Sequence, residues 1–345
     1  MTTIDDVARA AGVSISTVSY ALSGKRSIRP DTRDRVLAAA KELGYLPHAS
    51  ARMLAEARSQ ILAVTAPLHV DTDDAAHMKF ALEVTRAARA HNFDTLLLVD
   101  DDAVAGMERS AGTALADGIV VLDVDAHDAR VPLAHKIDCP TVFIGIPADT
   151  DGLMCVDLDF EQAARDCVDR LVDAGHTVIG LISHDREAIA RESNFPLRFR
   201  DAFVARADER GVTSGVAYPD GNDASAPVDE LLAAHPDLTG IVLNCAASVA
   251  ESLHDALARH GASVPADVSV IAGGATYPLE SFPVPFDSIP LDARASCSAA
   301  VDLLIDAIER GSVEERTVLI NPEYHDRGTV LAPSRSTPPK VQESN

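Results

Sequence analysis

The sequence predicts a small all-α domain at the amino end, followed by an α/β core built on two parallel doubly wound sheets. Residues 1–46 contain three short amphipathic helical patterns in close succession. From residue 61 onward, short β-rich runs alternate with longer helical patterns, and this series occurs twice. The charge changes at the same place, because residues 1–60 carry a net charge of +3 and the remaining 285 residues carry −26. This distribution indicates that only the amino end approaches a polyanion.

Composition narrows the class of protein further. The chain has 345 residues, 47% of them hydrophobic, which is enough for two or three domains with proper cores. It has no apolar run near the roughly 18–20 residues needed to cross a bilayer and no export signal, so we expect a cytoplasmic protein without membrane contact. The five cysteines form no Cys-x-x-Cys pair, and the histidines show no metal-ligand spacing. We therefore expect buried thiols, no metal site and no cofactor.

Start and stop signals define three helices in the first domain. Thr3, followed three residues later by Asp6, predicts a cap for the first helix. Ser14 predicts a cap for the second helix, and Pro30 predicts the first turn of the third. The glycines predicted to end these helices are Gly12, Gly24 and Gly44. Two short helices joined by a tight glycine turn, with a third beside them, form a helix-turn-helix pattern.

The whole of this region resembles a known DNA-binding domain. The stretch that carries the resemblance is TTIDDVARAAGVSISTVSYALSGKRSIRPDTRDRVLAAAKELGYLPHASARMLAE. It is similar to the amino end of the LacI family of bacterial transcription regulators, which implies that the second helix enters the major groove of operator DNA. The implied DNA contacts are Thr3, Ser14, Ile15, Ser16, Thr17, Ser19, Tyr20, Arg26, Ala51 and Leu54. Ile15 can make only apolar contacts, for example with a thymine methyl, and Tyr20 stands where many relatives carry arginine, so the operator sequence stays open.

The segment after the first domain is expected to form a hinge. Residues 47–60 contain good helix formers, but the segment is too short for a helix that is stable alone in water. The resemblance implies that it pairs with its twin across a dimer axis, with Leu54 inserted into the minor groove and Ala51 permitting close approach. An ordinary linker is the alternative.

The two α/β units resemble the sugar-binding cores of this family and of periplasmic binding proteins. Predicted strands include ILAVTAP, DTLLLVDD, GIVVLDV and TVFIGIP, and then VIGLISHD, GVAYPDG, GIVLNCA and SVIAGG. The resemblance implies two lobes around a ligand cleft, with chain crossings near residues 157–161, 287–291 and 318–322. The predicted division is a helix-turn-helix domain at 1–46, a hinge at 47–60, a two-lobed domain at 61–333 and a disordered tail at 334–345. Within the two-lobed domain, the N-lobe spans about 61–158 and 290–318, and the C-lobe spans about 159–289 and 319–333.

The residues implied for the effector cleft match the family pattern only in part. Asp73 or Asp74 would supply an acid after the first strand, and Arg198, with Arg200 as competitor, would offer an unpaired fork of donors to the ligand. Asn244 lacks the acid that usually follows it. Gly274 replaces a later acid, and Ala293 replaces an aromatic residue near the last crossing. Three phenylalanines could compensate, namely Phe80, Phe195 and Phe286. Either a different sugar geometry or another effector is therefore expected.

These features together predict a homodimeric DNA-binding repressor controlled by a small effector, with a sugar or glycoside favoured. The chain contains no phosphate loop, nucleophile elbow or His-Glu-x-x-His motif, so we do not expect an enzyme. The final residues carry no leucine heptad, which favours a dimer over a tetramer. An activator or co-repressor-dependent regulator that senses a non-sugar metabolite stays open. A solute-binding protein or sugar enzyme is a remoter alternative.

Overall fold

The computed structural model describes residues 2–23, 28–45, 58–67, 74–99 and 102–333. The first three helices pack around a small core in which Val7, Val18 and Val36 are completely buried. Their bounds are Ile4–Ala11 for α1, Ile15–Ser23 for α2 and Pro30–Glu42 for α3. The predicted all-α domain is therefore confirmed.

Local hydrogen bonds explain where these helices begin and end. The backbone N–H of Thr3 donates to Asp6 Oδ2 at 2.9 Å, and the N–H of Asp6 donates back to Thr3 Oγ1 at 3.4 Å. Gly12 ends α1 with a φ of 64°, a conformation that costs glycine little. Ser14 Oγ accepts the N–H of Thr17 at 3.2 Å and so caps α2. The predicted end of α2 at Gly24 lies outside the described residues.

The N-lobe is an α/β unit built on parallel strands. Its described strands are β1 (Ile61–Thr65), β2 (Asp94–Leu98), β3 (Gly118–Val121), β4 (Thr141–Ile144), β5 (Met154–Leu158) and β11 (Arg316–Ile320). Its helices are α4 (Asp74–Ala90), α5 (Ala103–Gly112), α6 (Val131–Ala134) and α12 (Ala293–Arg310). The sheet order is β11-β5-β4-β3-β1-β2. Alternate residues of β1 enter two separate core clusters, which shows that both faces of the sheet are covered.

The C-lobe repeats this architecture. Its described strands are β6 (Val178–Ile182), β7 (Thr213–Ala217), β8 (Gly240–Leu243), β9 (Ser269–Ala275) and β10 (Asp287–Pro290), in the order β10-β9-β8-β6-β7. Its helices are α7 (Phe160–Asp173), α8 (Arg186–Ala190), α9 (Asn194–Arg210), α10 (Ser225–Ala234) and α11 (Ala247–Ala258). All the recorded strand pairs within both sheets are parallel. The predicted fold class, two parallel doubly wound sheets behind an all-α domain, is confirmed.

The chain passes between the lobes more than once. It leaves the first sheet after β5, returns from β10 to α12, and leaves again after β11, where His325 bridges to Ser288 of β10. The predicted crossing segment 287–291 contains β10, and 318–322 overlaps the end of β11. The limits given above for the domains and lobes stay a prediction.

The structure contains three strands beyond those predicted from the sequence, and local groups fix the bounds of α5. The helix α5 begins at Ala103, because Asp102 accepts the N–H groups of Val104 and Ala105 and so caps it. It ends at Gly112, and Ala114 beyond it has a φ of 51°, which no helix tolerates. The strands β5, β10 and β11 are not among those predicted from the sequence. No helix in the described parts of the chain is long and apolar enough to span a membrane.

Candidate effector cleft and DNA-contacting face

The second helix presents an exposed face. Ile15 and Tyr20 are 46% and 39% exposed, and Ser16 is exposed between them. Val18 on the opposite side is completely buried against α1 and α3. Ser14 Oγ also lies 2.9 Å from Ser16 Oγ, so the start of α2 carries a small hydroxyl cluster. The helix can thus enter a groove with a mixed apolar and hydroxyl surface.

The other predicted DNA contacts differ in position and in exposure. Thr3 is exposed and its hydroxyl is 2.8 Å from Asp6 Oδ2, within the cap of α1. Thr17 and Ser19 are half-buried on α2. The predicted contacts outside the described residues are Arg26, Ala51 and Leu54.

A cavity of about 780 Å³ lies between the two lobes. Its walls come mainly from the segments that follow the carboxyl ends of the strands in both sheets, the place where open α/β sheets bind ligands. The N-lobe contributes Asp74, His77, Phe80, Asp123 and Gly145, among others. The C-lobe contributes Phe160, His184, Phe195, Ser248 and Gly274, among others. Asp74, Phe80, Phe195 and Gly274 were predicted for this site and do line the cavity, while Asp73 lies outside the described residues.

Direct contacts close one side of the cleft. Arg191 of the C-lobe donates to Asp123 Oδ1 at 3.0 Å and to Asp125 Oδ1 at 2.5 Å, both from the segment after β3. The backbone N–H of Ala126 donates to the carbonyl of Glu192 at 2.7 Å beside this pair. Burial raises the pKa of Asp125, and Arg191 opposes that shift. The two lobes are therefore held together by a partly buried set of ion pairs and by a backbone hydrogen bond.

Another contact between the lobes involves Thr276, which lines the cavity. Lys79 Nζ on α4 donates to the backbone carbonyl of Thr276, just after β9, at 2.8 Å. Both lobe-spanning contacts flank the same cavity, so a movement of one lobe against the other would change both.

The structure corrects the expectation for Arg198. Its Nε and Nη2 donate to the two carboxylate oxygens of Glu161 at 2.8 and 2.6 Å, and Nη1 donates to Asp157 Oδ2 at 2.7 Å. The guanidinium is therefore not an unpaired fork, and Arg198 is not among the described residues that line the cavity. The reason is that α9 packs on α7, which brings Glu161 and the end of β5 to the arginine.

The pKa values around this arginine follow from burial and from the pairing. Burial raises the pKa of Asp157 to about 7, although Arg198 opposes the shift. Burial also acts to raise the pKa of Glu161, but its hydrogen bonds and charge pairing with Arg198 outweigh that effect and lower the pKa overall. Asp157 itself lines the cavity, so the protein presents a carboxylate where the family pattern implied a guanidinium.

Other predicted effector residues also lie away from the cavity. Arg200 pairs with its neighbour Asp201, with Nε donating to Oδ1 at 2.7 Å. Phe286 is 2% exposed in the core of the C-lobe, where its ring meets that of Phe282 edge to face at 5.8 Å. The structure places both residues away from the cavity, because sequence alone does not show which face of an element packs against its neighbours.

Asn244 and Gly274 meet at the end of the central C-lobe strands. Asn244 Nδ2 donates to the carbonyl of Gly273 at 3.0 Å, and its buried Oδ1 has no hydrogen-bond partner among the described residues. Gly274 has a φ of 70°, and a Cβ there would lie 2.8 Å from Phe160 Cε1. An acid at this position would therefore displace Phe160. Just after β10, Ala293 is buried in α12, and Leu291 lines the cavity instead.

Sequence reasoning missed several cavity residues. Asp123 and Asp157 lie at or just beyond strand ends, and that position was the available signal for both. Arg191 and Ser193 lie on the short connection between α8 and α9, for which no sequence pattern was recognised. These residues line the cleft only because the two lobes face each other.

A helix-turn-helix with an open second helix, carried on a two-lobed α/β core with a cleft, defines a transcription regulator with a binding-protein-like domain. Comparison with known families agrees: residues 3–48 match the bacterial regulatory proteins of the lacI family, and residues 168–330 match the periplasmic binding protein-like domain. The chain therefore carries a lacI-family helix-turn-helix domain and a periplasmic binding protein-like domain, and its relatives are LacI-family regulators.

Individual relatives span nearly the whole chain. Catabolite control protein A of Staphylococcus xylosus is 26% identical over 334 residues, covering 95% of this chain and 98% of the relative. The HTH-type transcriptional regulator CelR of Thermobifida fusca is 26% identical over 321 residues, covering 90% of this chain and 93% of the relative. The Lac repressor dimer bound to operator and the anti-inducer ONPF has the same fold, with a TM-score of 0.79, 21% identity and coverage of 96% and 99%. These relatives are transcription regulators.

Proposed function

We propose that this protein is a cytoplasmic, homodimeric repressor that binds a pseudo-palindromic operator and changes its affinity when a small effector occupies the interlobe cleft. The observation that carries the proposal is the presence, on one chain, of an exposed recognition helix and a cavity bounded by two lobes. A sugar or glycoside is the favoured effector, because a related structure is described as a CelR–cellobiose complex. A DNA-binding domain on the same chain argues against a solute-binding protein.

The connection between the DNA-binding domain and the core supports coupling between the two. Asp117, just before β3, accepts the N–H and hydroxyl of Ser59 at 2.7 and 3.0 Å and the N–H of Gln60 at 2.8 Å. Arg58 Nη2 donates to the carbonyl of Ile308 near the end of α12 at 3.0 Å. The last residues of the predicted hinge are thus fixed to the N-lobe, and a lobe movement would be transmitted to the hinge.

An exposed apolar strip on the N-lobe supports the homodimer. Met78 and Leu82 lie one turn apart on α4 and are 47% and 51% exposed, while Leu97 and Val99, at the end of β2, are 39% and 50% exposed. The hydroxyls of Thr85 on α4 and Thr95 on β2 are 2.8 Å apart, and α4 runs antiparallel to β2. Met78 and Leu82 therefore lie alongside the end of β2, and the strip suits a second copy of the chain.

Operator selection from randomised duplex DNA, followed by footprinting, tests the proposal. We expect one protected site with two half-sites that share a central step. Tyr20→Ala should weaken binding to that site, whereas Leu37→Ala, an exposed residue of α3, serves as the matched control. Leu54→Ala should cost on the order of a few kcal/mol of specific binding while non-specific binding changes little. Selection of no sequence, or equal binding by all variants, would contradict the proposal.

The search for the effector uses the operator selected in that experiment. Fluorescence anisotropy with sugars, glycosides and nucleobases should identify a compound that changes operator occupancy. A compound that strengthens binding would identify a co-repressor-dependent regulator, which is the second candidate. The carboxylate-lined cleft differs from the family's sugar-binding pattern, and this favours the part of that alternative in which the effector is a non-sugar metabolite.

A further inference from the structure

The walls of the interlobe cavity carry more negative than positive side chains. Among the residues that the structure describes, seven acidic side chains line the cavity, against two arginines. An excess of acidic side chains is common on an acidic protein. The ion pairs that each charged side chain already makes therefore decide which charges are available to a ligand.

Each arginine near the cavity is already engaged by the protein. Arg191 is held by Asp123 and Asp125 across the lobes. Arg186 lies 3.8 Å from the carboxylate of Glu230, with its guanidinium carbon 5.4 Å from the centre of the Tyr218 ring. A ligand anion would therefore have to displace carboxylates to reach Arg191, whereas the Arg186 side chain is 60% exposed and only weakly paired.

Arg198 behind the wall is held in the same way by Asp157 and Glu161. This pairing has a consequence for the ligand, because it fixes Asp157 at the cavity wall. Asp157 Oδ1 accepts the N–H of Leu158 at 2.9 Å, and Oδ2 accepts from Arg198 at 2.7 Å. Each carboxylate oxygen can accept a second donor. The Asp157 carboxylate is thus held in place and can accept a further hydrogen bond from a ligand.

Two further features of the same wall indicate a bound ligand. Ser193 is completely buried and lines the cavity, and its hydroxyl has no hydrogen-bond partner among the described residues. A buried hydroxyl without a partner is unfavourable, so a ligand that satisfies it would be stabilised. The rings of Phe160 and Phe195 lie 5.2 Å apart at the wall, and aromatic faces attract cations.

This inference rests on the proposed function, since it names the chemical class of the effector. We propose that the effector carries a protonated amine, as an amino sugar does, and that the ammonium binds at Asp157 beside Phe160 and Phe195. The hydroxyl groups of the ligand meet the remaining carboxylates and Ser193. Phosphorylated and carboxylated ligands are rejected by the same charges.

Matched probes test the charge class directly. Isothermal titration of the full-length protein is carried out with glucosamine and galactosamine, their hydroxyl counterparts glucose and galactose, the N-acetylated amino sugars, and the two sugar 6-phosphates. We expect one amino sugar to bind at least tenfold more tightly than its hydroxyl and N-acetyl counterparts, and the phosphates to bind no more tightly than the neutral sugars.

Variants locate the charge. Asp157→Asn should weaken binding of that amino sugar at least tenfold without a matching loss for the neutral sugar. Since Asp157 also supports the fold, Asp74→Asn at the exposed mouth of the cavity is the second variant, with an expected loss of about threefold. Asp326→Asn, in a separate groove of the C-lobe, is the matched control and should change nothing.

The outcomes separate this inference from the proposed function. A neutral or phosphorylated sugar that binds as tightly as its amino form overturns the amine inference and leaves a ligand-controlled regulator standing. A lack of response to all the amino sugars, with a specific operator still bound, also overturns the inference. Failure to select any operator overturns the proposed function whatever the sugars do.

Discussion

Arg198→Ala distinguishes a structural arginine from one that contacts the ligand. The side chains of Arg198 and Asp157 are 13% and 7% exposed, so the ion pair between them is largely removed from water. Alanine would leave the Asp157 carboxylate buried without a counter-ion and would place Glu161 beside it. Removing one partner of a buried pair typically costs about 3–5 kcal/mol.

The structure places the expected loss at the lower end of that range. The Glu161 side chain is 36% exposed, so water takes over part of its interaction with the arginine. We expect Arg198→Ala to lower the free energy of unfolding by about 3 kcal/mol at pH 8. The double variant Asp157→Asn/Arg198→Met should recover most of this loss, because it removes both buried charges together.

The loss should depend on pH in a defined direction. Burial raises the pKa of Asp157 to about 7, above its ordinary value of 3.8. A carboxyl whose pKa is raised by folding stabilises the folded protein below pH 4, and that contribution is lost as pH rises toward 7. At pH 5 the carboxyl is mostly protonated and needs its counter-ion less, so Arg198→Ala should cost less than at pH 8. Asp157→Asn should remove this pH dependence.

Urea unfolding followed by circular dichroism at pH 5 and pH 8 measures these differences. Arg200→Ala is the matched control, since Arg200 pairs with the exposed Asp201 and its loss should change stability by about 0.5 kcal/mol or less. Suppose instead that Arg198→Ala unfolds within about 1 kcal/mol of the parent at both pH values and still loses its response to the effector. The arginine would then face the ligand, and the structural role argued above would be refuted.

Three further changes test other parts of the structure. Gly274→Ala should lower stability by about 1–3 kcal/mol in thermal unfolding and weaken effector binding, because its Cβ would press on Phe160; an unchanged melting temperature would contradict this. Asp117→Ala should weaken operator binding in anisotropy about tenfold while the core keeps its stability, since Ser59 and the adjoining residue lose their anchor; full operator affinity would argue against coupling at this point. Leu82→Glu should shift the sedimentation profile from dimer to monomer, and a dimer that persists at sub-micromolar concentration would exclude the apolar strip as the interface.

Some parts of the molecule follow from residues that are close together in sequence. The cap formed by Thr3 and Asp6, the turn at Gly12 and the cap at Ser14 each involve groups within about one helical turn. The alternation of β-rich and helical patterns similarly predicts parallel sheets, because parallel strands need a crossover between them. By contrast, α12 carries a regular apolar pattern but joins the first sheet after the chain has passed through the second lobe. Its place in the fold depends on contacts with β3, β4 and β5, which are distant in sequence.

By itself the sequence determined the helix-turn-helix, the fold class of the core, the resemblance to LacI-family regulators and the existence of a cleft. Each of these depends on local signals or on an extended motif. Only the tertiary structure decided which side chains face that cleft. Arg198 and its partners are 37 and 41 residues apart, and Arg191 lies 68 residues from Asp123. Phe195 and Phe286 are both aromatic residues in apolar surroundings, yet one lines the cavity and the other fills the core. Such pairings form when helices pack and lobes meet. A local sequence pattern therefore does not show which distant charged residue will lie beside a given arginine.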